Sequence, residues 1–329
     1  MIITVNLNAA IDKTLAVPNF RLGRRHRAIE QRALAGGKGV NVARALKSLG
    51  QPVIATGFAG GSTGTRIIEQ LTDEAILNDF VRIGDESRTS TAVVDPASGE
   101  QTEINEYGPE VSDQEVDHFR EKLLYLAKGA AMCVFCGSLP RGAEASLYAE
   151  LVVELRKLGV TTVLDTEGNA LHLTTRAEPT VVTPNELEAE ELVGHEFDDD
   201  DDRLTAMREI VELGAGEAVM TQETGCVALV DHGEEGLSPD GPLRLYRCTL
   251  EPVETPVSGV GSGDAFLAGY VASRYGAARP EEQLRFAVAC GAESTQHFGA
   301  GVLDPRAVER LASDVDVEVI PEPALETRG

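Results

Sequence analysis

Short apolar runs alternate with longer segments of mixed polarity along most of the chain. Four of the short runs predict buried strands: residues 2–5, 53–58, 131–135 and 161–165. Three of the longer segments predict helices: residues 65–74, 112–127 and 144–158. The alternation of strand and helix predicts an α/β fold with a mostly parallel sheet flanked by helices.

One part of the chain departs from this alternation. Residues 88–94 and 101–105 are joined by the turn Asp95-Pro-Ala-Ser-Gly99 and predict a β-hairpin. Residues 14–17 and 28–34 predict two further short strands. We expect these strands and the hairpin to form a small β-sheet that covers the functional site as a lid.

No internal repeat divides the chain, so the sequence predicts a single domain over residues 1–320. The lid is expected to come from inserted segments at about 12–34 and 87–107. The end of the chain, 321–329, is expected to be a loose tail.

A glycine-rich turn late in the chain leads directly into an acidic residue and an apolar helix. Gly261, Ser262 and Gly263 precede Asp264. The N–H groups of such a turn, together with the helix dipole, favour binding of a phosphate. A carboxylate at that place is suited to take a proton from a hydroxyl that attacks phosphorus. Asp in a first helical turn is also favoured by the dipole alone, so the motif by itself leaves a structural role open.

A second glycine turn, residues 35–39, opens an early helix and contains Lys38, with Asn41 one turn further on. It lacks the spacing and the Ser/Thr of a Walker A loop. Its glycines suit close approach to a polyhydroxyl ligand, and Lys38 is available for a phosphate. The basic stretch 21–27, which includes Arg25, suits an anionic substrate, or equally a set of structural ion pairs.

Asn185 and Glu188 lie at the start of a predicted helix that follows Pro184. Because they are three residues apart they share a helix face, and together they could hold a hydrated Mg²⁺ through water. Acidic first turns are common in helices, so a solvated helix start is the alternative. The acidic run 198–202 is predicted to be a charged loop.

The chain of 329 residues carries 54 acidic and 29 basic residues and a net charge of −25, and only six of its basic residues are lysines. So acidic a surface repels nucleic acid and anionic membranes, and we expect neither as a partner. Dispersed acid with little lysine favours a high-salt cytoplasm, an acidic protein from ordinary salt being the alternative.

The cysteines and the apolar runs indicate the compartment. Five cysteines is an odd number without framework spacing, which favours a reduced cytoplasm. Cys133 and Cys136 lie in an apolar strand on opposite faces, so we interpret them as core residues rather than as a redox or zinc pair. No signal peptide and no apolar run of membrane-spanning length is found.

Taken together, these motifs resemble those of ribokinase-like (PfkB) sugar kinases along nearly the whole chain. The similarity is greatest to the branch of 1-phosphofructokinases and tagatose-6-phosphate kinases. Six segments carry it: residues 4–12, 36–43, 102–109, 137–140, 183–188 and 261–266.

The resemblance implies a role for each candidate residue. Asp264 would be the general base, and the turn Gly261, Ser262 and Gly263 the anion hole for the transferring phosphoryl group. The residues implied in binding the sugar phosphate are Asp12, Gly37, Asn41, Asn105 and Ser138 for the sugar, with Lys38, Arg88 and Arg25 for its phosphate. Those implied in binding ATP are Asn185, Thr221, Gly225, Gly261, Gly263, Gly299 and Gly301, with Asn185 and Glu188 for Mg²⁺.

The activity implied is ATP-dependent phosphorylation of a ketohexose phosphate, with fructose 1-phosphate preferred. A tagatose-6-phosphate or fructose-6-phosphate kinase is the alternative within the class, and a non-catalytic sugar-phosphate sensor is the alternative outside it. Because a lid hairpin leaves strand edges exposed, we expect two chains to pair through their lids as a homodimer.

Overall fold

The computed structural model describes residues 1–232, 243–252 and 256–321. All but the first residue of the predicted tail, 321–329, lies outside these ranges. The strands are β1 (Ile2–Asn6), β2 (Ala10–Ala16), β3 (Glu30–Gly36), β4 (Val53–Gly60), β5 (Leu77–Ile83), β6 (Arg88–Val94), β7 (Gln101–Asn105), β8 (Met132–Cys136), β9 (Thr161–Asp165), β10 (Val181–Val182), β11 (Glu217–Gln222), β12 (Gly225–Asp231), β13 (Leu243–Thr249) and β14 (Asp316–Ile320). The helices are α1 (Lys38–Ser48), α2 (Gly61–Asp73), α3 (Asp113–Ala127), α4 (Leu147–Lys157), α5 (Gly168–Thr175), α6 (Glu186–Val193), α7 (Asp200–Glu212), α8 (Ser262–Tyr275), α9 (Pro280–Ser294) and α10 (Pro305–Ala312).

Ten strands form one large sheet in the order β14-β13-β12-β11-β10-β9-β8-β1-β4-β5. From β11 to β5 every neighbouring pair is parallel, and the three pairs from β11 to β14 are antiparallel. The predicted mostly parallel sheet is therefore confirmed. The chain order reverses around β1, which lies between β4 and β8, and ligand sites of open α/β sheets lie at such a point.

The hydrophobic core occupies both faces of this sheet. On one face the buried side chains come from α1, α2, α8, α9 and α10, and on the other from α3 to α7. Cys133 belongs to the second layer and Cys136 to the first, and both are buried free thiols. The two cysteines thus lie on opposite faces of β8, as predicted.

A separate four-stranded sheet, in the order β3-β2-β6-β7, forms the lid. The predicted hairpin is confirmed, because β6 and β7 pair antiparallel with Ser90 opposite Asn105. The β2 strand pairs antiparallel with β3 and parallel with β6. Asp12 lies between Leu34 and Ser90 in this register, so its side chain is on the same face as theirs.

Among the described elements, α5, α7 and β14 were not anticipated from the sequence. The prediction of a charged loop at 198–202 was wrong for residues 200–202, which form the first turn of α7. The Asp199 side chain caps this turn by accepting a hydrogen bond from the N–H of Asp202. Acidic side chains stabilise a helix start through the dipole, so a run of aspartates is compatible with one. Within the described ranges, no helix combines the length and the apolar character that crossing a bilayer requires.

Candidate active site

A cavity of about 440 Å³ lies where the carboxyl ends of the parallel strands meet the lid and the first turns of α1 and α8. We call it the polar cavity. The predicted residues that line it are Asp12, Gly37, Lys38, Asn41, Arg88, Asn105, Ser138, Asn185, Glu188, Thr221, Gly261, Ser262, Gly263 and Asp264. Residues far apart in the sequence are brought together because parallel strands end at the same edge of a sheet.

A continuous hydrogen-bonded chain joins the two glycine motifs at the floor of this cavity. The Asn41 Nδ2 donates to Asp264 Oδ2 at 2.9 Å and to Asp12 Oδ2 at 3.2 Å. The N–H of Gly37 donates to the same Asp12 oxygen at 3.1 Å. A Cβ at Gly36 would lie 2.1 Å from that oxygen, so only glycine fits there.

The turn before α8 adopts a conformation that favours glycine. Gly261 has φ of 79°, and a Cβ added to it would lie 2.6 Å from the Ala300 Cβ. The N–H of Ser262 donates to the Gly259 carbonyl at 3.2 Å. The N–H groups of Gly263 and Asp264 belong to the first helical turn, where the helix itself supplies no acceptor, so they are the donors best suited to an anion.

Asp264 is buried, and burial raises its pKa to about 7. The neighbouring carboxylates of Asp165 and Asp12 raise it as well, while the Lys38 ammonium and the Asn41 hydrogen bond lower it. The pKa of Asp12 is also raised, mainly by burial, against the hydrogen bonds from Gly37 and Asn41. A carboxyl group that titrates near neutrality is suited to general base catalysis.

Lys38 forms an ion pair that sequence analysis missed. Its Nζ lies 2.8 Å from Asp165 Oδ1 and 3.8 Å from Glu188 Oε1. Burial lowers the pKa of Lys38, but the carboxylates of Asp165, Glu188 and Asp264 outweigh this and raise it. Asp165 is the last residue of β9 at the carboxyl edge, and that position was the signal that could have identified it.

Asn185 and Glu188 form a capping box at the start of α6. The Asn185 Oδ1 accepts from the Glu188 N–H, and Glu188 Oε2 accepts from the Asn185 N–H, both at 2.9 Å. These oxygens are engaged with each other's backbone, whereas Glu188 Oε1 lies 3.8 Å from Lys38 Nζ, the cation that also pairs with Asp165. The carboxylates of Asp165 and Glu188 are therefore a better-placed pair of oxygen donors for Mg²⁺ than Asn185 with Glu188. No cluster of three or more His, Cys, Asp or Glu suited to a metal occurs among the described residues.

Arg88 and Asn8 connect the lid to the sheet. The Arg88 Nε donates to the Asn8 carbonyl at 3.2 Å, and its Nη1 donates to the Glu106 carbonyl at 3.0 Å. The Asn8 Nδ2 donates to Ser138 Oγ at 3.2 Å. Burial lowers the pKa of Arg88 against the opposing effect of nearby carboxylates, Asp12 among them. Arg88 thus brings a positive charge to the lid end of the polar cavity.

A second cavity of about 280 Å³ adjoins the first at the start of α8, and we call it the side cavity. Thr221, Ser262, Gly263 and Phe266 line both cavities. The other residues of its lining are Gln222, Glu223, Thr224, Gly225, Leu250, Glu251, Pro252, Pro256, Val288, Gly291, Ala292 and Thr295. Of the residues predicted to bind ATP, Thr221, Gly225 and Gly263 are therefore found here.

Three predicted residues lie elsewhere. Arg25 is exposed in the segment between β2 and β3 and lines neither cavity, because that segment projects from the lid. Gly299 and Gly301 do not line the side cavity either. Gly301 packs against α1, where a Cβ would lie 2.7 Å from the Asn41 carbonyl oxygen, and Gly299 packs against Arg32 of the lid. Their assignment to the nucleotide stays a prediction that the lining of the side cavity does not support.

Comparison with known proteins agrees with this geometry. The model of the pfkB family carbohydrate kinases matches residues 5–306. The chain is 31% identical to a tagatose-6-phosphate kinase of Staphylococcus epidermidis, over 96% of this chain and 99% of that protein. It is also 31% identical to a 1-phosphofructokinase of Rhodobacter capsulatus, over 97% of this chain and 98% of that protein.

Solved structures of similar fold are found as well. The crystal structure of a possible 1-phosphofructokinase from Thermotoga maritima superimposes with a TM-score of 0.86 at 27% identity. The match covers 98% of this chain and 100% of that one. The similarity therefore extends over the large sheet, the lid and both cavities.

Proposed function

The chain belongs to the pfkB family of carbohydrate kinases, and we propose that it transfers the γ-phosphoryl group of ATP to a ketohexose phosphate. The preferred acceptor is fructose 1-phosphate, phosphorylated at its C6 hydroxyl to give fructose 1,6-bisphosphate. The observation that carries this proposal is the bonded chain Asp12–Asn41–Asp264, which ends on a carboxyl group with a pKa of about 7 beside a glycine turn. A sugar hydroxyl that reaches Asp264 meets a base and a phosphate site at once.

Asp12 and Asn41 are proposed to bind sugar hydroxyls, with Ser138 and Asn105 at the lid end of the same cavity. The attacking hydroxyl oxygen forms a bond to the γ-phosphorus as the bond to the bridging oxygen of ADP breaks. Its proton passes to Asp264, and ADP leaves with the electron pair of the broken bond. N–H groups at the start of α8 donate to the transferring phosphoryl oxygens.

The phosphate of the sugar and the phosphoryl group in transfer are assigned to two different cationic side chains. Arg88, at the lid end, is proposed to bind the phosphate already on the sugar. Lys38 acts electrostatically on Asp264, so its ammonium is suited to the phosphoryl group in transfer. Asp165 and Glu188, which face Lys38, would hold Mg²⁺ through water, and Mg²⁺ supplies neutralisation of the phosphate charge when it is bound. The side cavity accepts the base and ribose of ATP.

A substrate panel tests the choice of acceptor. We expect the highest kcat/KM with fructose 1-phosphate, measured beside fructose 6-phosphate and tagatose 6-phosphate at low and high KCl. Tagatose 6-phosphate is the second candidate, because the Staphylococcus relative carries that name at the same identity. A higher kcat/KM with fructose 6-phosphate or tagatose 6-phosphate would overturn the assignment to fructose 1-phosphate. A non-catalytic sensor is disfavoured by the buried base and its glycine turn, and the absence of turnover with all three sugars would favour it.

We also propose that two chains pair through their lids. The lid exposes large apolar side chains, with Leu22 91%, Ile29 71%, Ile104 61% and Tyr107 89% exposed, and its edge strand β7 is exposed throughout. Apolar surface and an open strand edge are both covered when a second copy binds. Light scattering of the wild type should give the mass of a dimer, and Ile104→Glu should give a monomer. A monomeric wild type would contradict the proposal.

The net charge of −25 supports a further proposal, that the protein works in a high-salt cytoplasm. The five cysteines are free and buried, which suits a reduced compartment. Thermal unfolding followed from 0.1 to 2 M KCl should show a rising Tm. A Tm that does not rise with KCl would favour an origin in ordinary salt.

A further inference from the structure

Arg44 lies directly behind the catalytic chain of hydrogen bonds and is 7% exposed. It is one turn after Asn41 on α1, so the two side chains share a helix face. Its Nη1 donates to Asn41 Oδ1 at 3.3 Å. An ion pair with Glu74, at the end of α2, anchors the guanidinium through Nε at 2.5 Å and through Nη2 at 3.0 Å.

The same guanidinium also contacts two backbone segments beside the cavity. Its Nη2 donates to the Ala35 carbonyl at 2.6 Å, where β3 of the lid meets the first glycine turn. Its Nη1 donates to the Ala300 carbonyl at 3.4 Å. Ala300 in turn packs against Gly261, the residue that precedes α8. Arg44 therefore touches the base of the lid, the amide of Asn41 and the segment that supports the anion-binding turn.

These contacts decide which way the Asn41 amide points. A guanidinium has donors and no acceptor, so only the amide oxygen can face Arg44. The amide NH₂ group is then left for the carboxylates of Asp12 and Asp264. The reverse orientation would set NH₂ against guanidinium donors and oxygen against two carboxylates, and both contacts are unfavourable.

We propose that Arg44 is a positioning residue of the phosphoryl transfer, which fixes the Asn41 amide toward Asp12 and Asp264 and ties the lid base to the anion-binding turn. This inference rests on the proposed function for its kinetic consequence. Arg44 lies behind Asn41, so it acts through that side chain rather than on the sugar.

Arg44→Lys is the most informative variant. Lysine keeps the positive charge but lacks the planar set of donors, so it cannot bond Glu74, Ala35, Asn41 and Ala300 together. We expect kcat to fall about 10- to 100-fold, the cost of a misplaced reacting group. The acidic limb of the pH profile of kcat/KM should move to higher pH, because the Asn41 hydrogen bond lowers the pKa of Asp264.

A double-mutant cycle separates positioning from general stability. If Arg44 acts through Asn41, adding Arg44→Lys to Asn41→Ala should change kcat and the pH profile no further. Full additivity of the two kcat effects would overturn the proposal. An Arg44→Lys enzyme with wild-type kcat and a wild-type acidic limb would overturn it as well.

Arg274→Lys is the matched control. Arg274 is half-buried and forms a two-bond ion pair with the buried Glu217, at 2.6 and 2.8 Å, and it lies on α8, the helix that carries Asp264. Its loss should lower Tm but leave kcat and the acidic limb unchanged. If Arg274→Lys lowered kcat and moved the limb as much as Arg44→Lys does, the effect would reflect loosening of the fold, and the proposal would fail.

A pKa measurement on the free protein tests the role of Arg44 without depending on the proposed kinase activity. The pKa of Asp264 can be followed by carboxyl ¹³C NMR in the free protein, where Lys38, Asp165 and Asp12 are the charged groups that act on it. We expect a higher pKa in Arg44→Lys than in the wild type, and an unchanged one would overturn the proposal. If wild-type protein phosphorylated no ketohexose phosphate, the proposed function would fail, but this comparison would still decide the role of Arg44. Should Arg44→Lys not fold, Glu74→Gln, which removes only the anchor, should raise the pKa in the same direction by a smaller amount.

Discussion

Buried polar side chains that bond one another form the polar cavity, whereas small and apolar residues form most of the side cavity. In the polar cavity Asn41 donates hydrogen bonds to both Asp12 and Asp264, which fixes the three side chains relative to one another. In the side cavity Leu250, Val288 and other residues offer shape and apolar contact. If the proposed function is correct, chemistry and acceptor recognition depend on preorganised charge, while binding of the nucleotide depends on fit. Substitutions should therefore lower activity far more in the polar cavity than in the side cavity.

The largest effect is expected from Asp264→Asn, which keeps the shape of the side chain and removes the base. We expect kcat to fall by about 10³-fold or more, with binding of the sugar phosphate largely retained. Turnover assays and calorimetric titration with fructose 1-phosphate check the two halves of this prediction. An unchanged kcat would show that another group takes the proton.

Gly261→Ala should lower kcat/KM by about 10²-fold, because it displaces the N–H donors at the start of α8. The added methyl group meets Ala300, and alanine is strained at a φ of 79°. Gly276→Ala is the matched control, since Gly276 lies at the other end of α8, its φ of −76° suits alanine, and a Cβ there would lie 3.5 Å from its nearest neighbour. Equal losses in the two variants would count against the special role of the turn before α8.

The pH dependence of kcat/KM should show an acidic limb near pH 7. The proton acceptor must be ionised, so the rate falls as pH drops below the Asp264 pKa of about 7. We expect a decrease of about tenfold per pH unit well below that value, measured in the free enzyme at subsaturating sugar phosphate. An acidic limb near pH 4, the range of an ordinary carboxyl group, would contradict the burial argument.

Ala292→Leu tests the side cavity. The larger side chain reduces a cavity of about 280 Å³, so the KM for ATP should rise by about tenfold while the KM for the sugar phosphate is unchanged. Ala292→Gly is the control, because it removes side-chain volume and so leaves the side cavity larger. A matching rise in the sugar-phosphate KM would mean that the two cavities are not separate binding regions.

The smallest effect concerns stability. Because the pKa of Asp264 is raised on folding, the native state holds this proton more tightly than the unfolded state does. The resulting stabilisation is complete at pH values below the unfolded pKa and is lost as pH rises through about 7. The Asp264→Asn variant has no carboxyl group to ionise at this position, so the variant avoids this loss of stability. The Tm of the variant minus the Tm of the wild type should therefore be a few degrees larger at pH 8 than at pH 5. Thermal unfolding at both pH values checks this, and a pH-independent difference would contradict it.

That Asn41 and Asp264 lie in one cavity was predictable, because local sequence marks both positions. The glycine turns lie next to Asn41 and Asp264, whereas Asp12 reaches the polar cavity from β2 of the lid. Asp165 was missed because a single acid at a strand end has no local pattern, although its place in the fold decides its role. The role of Arg25 stays a prediction, because a basic stretch shows charge but not which way its side chains point, and Arg25 lines neither cavity.

In the fold, too, features that local sequence encodes were predictable and features that depend on distant contacts were not. The lid hairpin was predictable from its turn and its alternation, and the structure confirms its pairing. The first turn of α7 was not, because aspartates occur both in loops and at helix starts, and only the Asp199 cap distinguishes the two. Gly301 is predicted to bind the nucleotide through family resemblance alone, and its close packing against Asn41 of α1 could not be predicted from local sequence.

Because Cys133 and Cys136 point to opposite faces of the large sheet, their reactivity can show which helix layer separates from the sheet during unfolding. Cys133 is covered by the layer of α3 to α7, while Cys136, Cys226, Cys248 and Cys290 are covered by the other layer. A thiol reagent applied under native conditions modifies only the layer that has separated from the sheet. Mass spectrometry of the modified peptides would then show whether the layer that carries α1 and α8 detaches first or last.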